Sequence, residues 1–198
     1  MPRFSPRSLV LLFGGCVVLG TGVAMLLTAD LGSDGYSTLV NGVSIGGDIP
    51  FLVSNIAISL GFLVISAARK VWPGLGTLVQ IVVVGLTVSW LLPVLDTPGT
   101  LVGQSLLLAA AFPVLAIGIA AYLGTHLGAG PAEAAALAWD PPLPFKWSYS
   151  AVQGVGALVG WLLGATIGPG TLAVIFLLGP GVDLASRVLR LDVHQVPD

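Results

Sequence analysis

The sequence predicts an all-α integral membrane protein: six transmembrane helices, built as two inverted-topology repeats of three helices. Each repeat holds a short helical link that either lies at the membrane interface or dips into the bundle. Three observations carry this expectation. Of 198 residues, 56% are apolar and only 8% charged, against about a quarter charged in an ordinary soluble domain. Uncharged apolar runs approach the roughly 20 residues that cross a hydrocarbon core. The motif Leu31-Gly32, directly after the first run, returns as Leu127-Gly128.

The chain reads in order as follows. A short polar start carries Arg3 and Arg7, and residues 9–29 form the first span. This run is longer than the apolar region of a signal peptide, and a later span repeats its second half. Residues 30–49 are a Gly-, Ser- and Asp-rich link whose middle, 36–45, is too short to span. Pro50, a favoured first-turn residue, starts the second span at 51–68, which ends on Arg69-Lys70. The third span is 77–95, with Pro93 near its end and a turn by composition at Asp96-Thr97-Pro98-Gly99. The fourth, 101–123, contains Pro113, which membrane helices tolerate when neighbours satisfy the freed carbonyl. The second link, 124–145, ends in Pro141-Pro142-Leu143-Pro144; spans 146–167 and 171–191 follow around Gly168-Pro169-Gly170. The whole is one membrane domain, with repeat 1 at about 9–95 and repeat 2 at about 101–191.

Orientation follows from the basic residues. With the N-terminus in the cytoplasm, Arg3, Arg7, Arg69, Lys70, Lys146, Arg187 and Arg190 all fall on cytoplasmic segments or span ends. Both termini are then cytoplasmic. The duplication supports this threading. Gly22, Ala24, Leu27, Leu31 and Gly32 match Gly118, Ala120, Leu123, Leu127 and Gly128 at an offset of 96. Gly74-Leu75-Gly76-Thr77-Leu78 matches Gly168-Pro169-Gly170-Thr171-Leu172 at an offset of 94. Three spans per repeat put the two repeats in opposite orientations, with the Leu31 link outside and the Leu127 link inside. Inverted repeats of this kind are common in secondary transporters.

The chain resembles the YczE-like branch of the YczE/YyaS/YitT bacterial membrane proteins. The residues that carry the likeness are Ala29-Asp30-Leu31-Gly32, Gly74-Leu75-Gly76-Thr77, Leu127-Gly128-Ala129-Gly130-Pro131 and Trp161-Leu162-Leu163-Gly164 with Gly168-Pro169-Gly170-Thr171. The resemblance runs from about Leu9 to Leu189 and implies a multi-pass protein of the bacterial cytoplasmic membrane. Two departures stand out. Gly35-Tyr36-Ser37 replaces the family's usual Pro-Trp-Asp, and Gly130-Pro131-Ala132-Glu133 replaces its frequent Gly-Pro-Arg-Asp.

Few polar residues fall at membrane depth, where an ionisable side chain is costly and by default suggests function. The candidate substrate-pathway residues are Asp183, Glu133, Asp34, Tyr36, Asn55 and Gln153. Asp183 also fits an ion pair with Arg187 one helical turn on. Glu133 follows Gly-Pro, where it fits either a helix-dipole role or a proton or cation site. Asp34, between Ser33 and Gly35, fits a plain turn. Asn55, Gln80, Gln104 and Gln153 are suited to hydrogen bonding between helices. Gly156, Gly160 and Gly164 form a small-residue face for tight packing on another helix or in a homodimer. Trp72, Trp90, Trp139, Trp147 and Tyr149 fall mainly near span ends, as interfacial aromatics do.

Composition also sets exclusions. The net charge of −2 gives no reason to expect a nucleic-acid partner. Cys16 is alone and His126 and His194 are the only histidines, so neither an internal disulfide nor a metal site is expected. No cofactor is expected. Gly74-Leu75-Gly76-Thr77 lacks the lysine of a phosphate-binding loop, and no nucleophile–base pair is evident, so an enzyme is not expected. The leading expectation is a transporter or permease of a small solute, with the lipid bilayer as its surroundings. The alternatives are a non-transporting membrane protein that binds or regulates a partner, and the substrate-binding membrane subunit of an energy-coupled transporter.

Overall fold

The computed structural model describes residues 5–139, 142–143 and 145–191. Arg3, Asp140, Pro141, Pro144 and His194 lie outside the described residues, as does the side chain of Lys146. The described residues form eight α-helices and no strand: α1 (Pro6–Thr28), α2 (Gly35–Gly47), α3 (Phe51–Ala68), α4 (Leu75–Leu91), α5 (Leu101–Leu123), α6 (Pro131–Leu137), α7 (Phe145–Leu162) and α8 (Pro169–Leu189). Four of them, α1, α3, α5 and α8, are long and apolar enough to cross a membrane. Of the other two expected spans, α4 is apolar but has 17 residues, and α7 has 18.

Local chemistry explains where the helices begin and end. Ser5 caps α1 by accepting the Ser8 amide at 3.1 Å, with Pro6 in the first turn. Asp34 caps α2 by accepting the Ser37 amide at 3.0 Å. Helix α4 starts earlier than expected because Thr77 Oγ1 accepts the Gly74 amide at 3.2 Å, closing the first turn from Gly74. It also stops earlier: Leu91 is its last helical residue, and Pro93 brings no amide to continue the ladder. Helix α7 ends at Leu162, five residues before the expected Ile167. Gly164 adopts φ +103°, and the Ala165 amide returns to the Gly160 carbonyl at 2.9 Å. That is a glycine C-cap. Gly164 is therefore a helix stop, and a Cβ on it would lie 3.3 Å from Ile45 of α2, the helix on which Gly156 and Gly160 also pack.

Small residues set the packing. Helices α1 and α5 run antiparallel, since Gly15 lies against Ala121 and Tyr122 while Gly22 lies against Leu115. The contact is reciprocal: Gly22 meets Leu115, and Gly118, which matches Gly22 at an offset of 96, meets Leu19. A Cβ on Gly22 would come within 2.8 Å of Leu115. Helix α1 packs on α4 as α5 packs on α8, and α2 packs on α7 as α6 packs on α3. The two halves of the chain are thus packed against each other through most of the molecule. The buried core gathers Leu12, Cys16, Leu19, Leu26, Val88, Leu115 and Tyr122. The outward faces stay apolar, with Leu60, Val64, Phe176 and Val188 all exposed. Such a surface suits lipid and not water.

The short helices answer the question left open by the sequence. Helix α2 runs parallel to α7. Gly35 lies against Gln153, Gly42 against Gly160, and Gly46 against Leu163. Its N-terminus therefore begins beside the middle of α7, inside the bundle, and its C-terminus ends level with the end of α7. Helix α6 lies on α3, with the Arg69 guanidinium 4.1 Å from the centre of the Trp139 ring. Gly156 and Gly160 do pack tightly, but on α2 of the same chain. The face considered for a homodimer is thus covered from within.

A Cβ on Gly160 would collide with the Thr38 carbonyl of α2, whereas one on Gly154 would meet nothing within 4 Å. Gly160→Ala is expected to lose about 1–3 kcal/mol of stability through overpacking. Gly154→Ala is expected to be neutral or to gain up to about 1 kcal/mol of helix propensity. Thermal unfolding of the two variants in detergent compares them directly.

Candidate functional site

Two breaks in the helical ladder build the site. After α1 the chain turns at Asp30 and Gly32 (φ 54° and +95°), and after α5 it turns at His126 and Gly128 (φ 54° and +140°). At Gly32 and Gly128 the positive φ favours glycine. Each link then docks on the start of a helix from the other half. The Leu31 carbonyl accepts the Gly170 amide at 2.7 Å, and the Leu127 carbonyl accepts the Gly76 amide at 2.8 Å. Thr77 Oγ1 donates to the Ala129 carbonyl at 2.6 Å. Docked this way, the two links carry the N-termini of α2 and α6 into the bundle.

At those N-termini a chain of polar contacts crosses five helices. Asn55 Nδ2 on α3 donates to the Ile81 carbonyl on α4 at 2.7 Å. Tyr36 on α2 donates its hydroxyl hydrogen to Asn55 Oδ1 at 2.8 Å, and Ser59 lies 2.7 Å from the same hydroxyl. With that hydrogen committed to Asn55, Ser59 is the donor to Tyr36. The Tyr36 amide donates to Gln153 Oε1 on α7 at 3.0 Å, and Gln153 Nε2 donates to the Tyr149 hydroxyl at 2.7 Å. Tyr149 in turn hydrogen-bonds the Glu133 carboxyl on α6. Tyr122 of α5 reaches the Gly130 backbone next to it.

Five of the six expected pathway residues are therefore brought together: Asp34, Tyr36, Asn55, Gln153 and Glu133. The two carboxyls belong to opposite links, yet they lie close enough to act on each other. Both lie outside the long helices, and burial pushes each above its usual carboxylate range. Asp34 is partly compensated by the Ser37 amide, and Glu133 by its own amide and by Tyr149. Asp183 is not part of this junction. It stands exposed on the outer face of α8, as does Arg187, while the neighbouring Val182, Ala185 and Ser186 turn inward.

Three contributors were not expected as site residues. Tyr149 had the appearance of an interfacial aromatic; its position one turn before Gln153 puts the two on one face. Gln80 read as general helix glue, and nothing in the sequence singles out Tyr122 within α5. Only the crossing of α4, α5 and α6 gives them a common address. The described residues offer no group of three or more His, Cys, Asp or Glu side chains for a metal ion.

The two link ends differ in openness. Beside the second link lies a cleft of about 320 Å³, lined by residues that include Trp72, Thr77, His126, Ala129 and Ala134. Beside the first, the matching space is about 20 Å³, between Asp30, Ser33, Asn41 and Thr166. There the Thr166 hydroxyl donates to the Asp30 carboxylate and ties the link to the α7–α8 loop. His126 stands at the place of Asp30 in the second half.

With this geometry in place, sequence comparison gives the relationship. The chain belongs to the DUF6198 family. The family's description is one of unknown function, and its model matches residues 6–187. The chain is 25% identical over 190 residues to an uncharacterized protein of Haemophilus influenzae, covering 95% of this chain and 87% of that one. It is 22% identical over 177 residues to the uncharacterized membrane protein YczE of Bacillus subtilis, covering 84% of this chain and 80% of that one. The expected YczE-like relationship holds. No solved structure matches. As a DUF6198 member with a membrane relative and four long apolar helices, the chain is a membrane protein.

Tyr36 is the hinge of the polar chain in this DUF6198 protein, since its hydroxyl satisfies two side chains on α3. Tyr36→Phe leaves Asn55 Oδ1 buried without its donor, and is expected to cost about 1–3 kcal/mol. Ser59→Ala removes only a donor and is expected to cost about 0.5–1.5 kcal/mol. Thermal unfolding checks the order.

Proposed function

We propose that this chain is a transporter of a small solute in the bacterial inner membrane, with no enzymatic activity. It crosses the membrane six times, as two inverted repeats of three spans with both termini in the cytoplasm. One observation carries the reading: Asp34 and Glu133, one from each link, converge on a polar junction inside an otherwise apolar bundle. Keeping carboxyls there is costly unless they serve a pathway. Half-helices whose N-termini meet at the interface between inverted repeats are a recurrent way to build a transport site.

Further support comes from the packing. Repeat-equivalent helices α1 and α5 run antiparallel, as inverted halves must. The open cleft at the second link and the tied first link fit a state with access from one face only. In this reading the cleft opens to the cytoplasm, because Arg69 and Lys70 lie at the same end. The solute is small and neutral or amphipathic, since the junction contains hydrogen-bonding groups and aromatic rings.

Orientation is tested by single cysteines in a Cys16→Ala background. Gly99→Cys, where a side chain meets nothing within 4 Å, is expected to react with an impermeant maleimide from the periplasmic side. Trp72→Cys, at an exposed site, is expected to react only from the cytoplasmic side. Reaction of both from one face ends the inverted-repeat reading. Transport is tested by screening neutral and amphipathic solutes for thermal stabilisation, then measuring vesicle uptake. Asp34→Asn is expected to weaken stabilisation and uptake together. Unchanged behaviour in Asp34→Asn and Glu133→Gln, with no stabilising solute, would instead favour a partner-binding protein.

A further inference from the structure

The Glu133 carboxyl meets an unusual neighbour. Gln153 Nε2 donates to the Tyr149 hydroxyl, which in turn hydrogen-bonds the Glu133 carboxyl. The Glu133 Oε2 atom, in contrast, stands over Gly130 beside Gln80 Oε1. A Cβ on Gly130 would collide with Glu133 Oε2 and would lie 2.6 Å from Gln80 Oε1 and 2.9 Å from Gln80 Nε2. Gln80 Oε1 is buried and has no hydrogen-bond partner. The Glu133 oxygen and the Gln80 amide thus flank one small space, and an ionised carboxylate can give the unpartnered Gln80 oxygen nothing. A buried acceptor left unsatisfied costs about 1–3 kcal/mol. A hydrogen on Glu133 Oε2 removes that cost, because a protonated carboxyl is a donor.

The surroundings favour the same state. The titratable groups facing Glu133 are Asp34 from the first link, Tyr36 from α2, Tyr122 from α5 and Tyr149 from α7. Helices α3 and α4 present the neutral Asn55 and Gln80. Among the described residues, the side chains of Arg7, Arg69, Lys70, His126, Arg187 and Arg190 are all exposed.

We propose that Glu133 is a proton-binding site whose carboxylic acid donates to Gln80 Oε1, and that this proton is the ion coupled to solute movement. The binding site stands on the geometry; the coupling rests on the transport reading above. Release is a simple ionisation. The Glu133 O–H bond breaks, its electron pair stays on the carboxylate, and the proton leaves through the neighbouring cleft lined by Thr77, Ala129 and Ala134. The carboxylate then faces the Gln80 oxygen, acceptor against acceptor, which pushes the second link away from α4. Loss of the proton is thereby tied to movement of the link.

Infrared spectroscopy of the protein in lipid nanodiscs tests the site without any solute. The wild type is expected to show a protonated-carboxyl band at neutral pH that disappears in one step on alkaline titration. Glu133→Gln, whose amide can still donate to Gln80, is expected to fold and lose this band, while Asp34→Asn keeps it. Gln80→Leu, which retains Glu133, is expected to shift the band because the acid loses its acceptor. A band that survives in Glu133→Gln, or no band at neutral pH in the wild type, overturns the proposal. The second result would mean that the Gln80 amide is turned toward an ionised Glu133.

Melting temperature gives an independent reading. A carboxyl raised by folding contributes stability that is complete at low pH and lost as pH rises through its folded value. The wild type is therefore expected to lose stability through that transition, and Glu133→Gln to lack that loss. Equal pH profiles count against the site. In vesicles, uptake that ignores an imposed pH gradient refutes the coupling alone; a wild type that transports nothing refutes the transport reading and leaves the spectroscopic result standing.

Discussion

The structure depends on what happens to backbone groups where a helix breaks inside an apolar bundle. Carbonyls freed after α1 and α5 have lost their helical partners, and leaving them bare at membrane depth costs several kcal/mol each. The chain resolves this by cross-docking. Leu31 takes its hydrogen bond from Gly170 of the second half, and Leu127 takes its own from Gly76 of the first. Each link is thus held by a helix from the other half of the chain. Gly32 and Gly128 make the turns, and Thr77 and Thr171 close the first turns of the helices that receive them.

Cross-docking explains the rest of the architecture. A link tied to the far half brings its short helix against the far half as well, and so α2 lies on α7 and α6 on α3. Close backbone approach follows, because the short helices must fit between longer ones. That is why glycine occupies positions 35, 42, 156 and 160. The stabilisation is close packing and not aqueous hydrophobic burial, since lipid offers apolar side chains an equally good solvent.

The same geometry concentrates polar groups. Two half-helix N-termini inside the bundle each present a partial positive charge, and each carries a carboxyl in or before its first turn. Asp34 is spent as the α2 cap, accepting the Ser37 amide. Glu133 keeps an oxygen facing Gln80, so the two otherwise similar carboxyls have different chemistry. The halves also differ at their outer ends: Asp30 binds Thr166 at one, while His126 and Trp72 border an open cleft at the other. A few side chains thus set the two links apart.

Much of this was legible in the sequence. Apolar runs located the long helices because a membrane imposes length and composition on them directly. The repeated Leu-Gly motifs marked the links because only glycine suits the turn. Boundaries at α4 and α7 were misjudged, since hydropathy does not register a threonine cap or a glycine stop. Asp183 is a candidate because it falls at membrane depth in the last span, but depth says nothing about which face of α8 it occupies. Five residues of the junction were named from their chemistry alone, without any sign that they meet. Tyr149, Gln80 and Tyr122 joined them only through tertiary structure. Sequence by itself determined which segments are helical and where the chain breaks, because those are local properties of composition and backbone freedom. Tertiary structure decided which polar groups share one space, because that depends on helix rotation and on residues that lie a hundred positions apart.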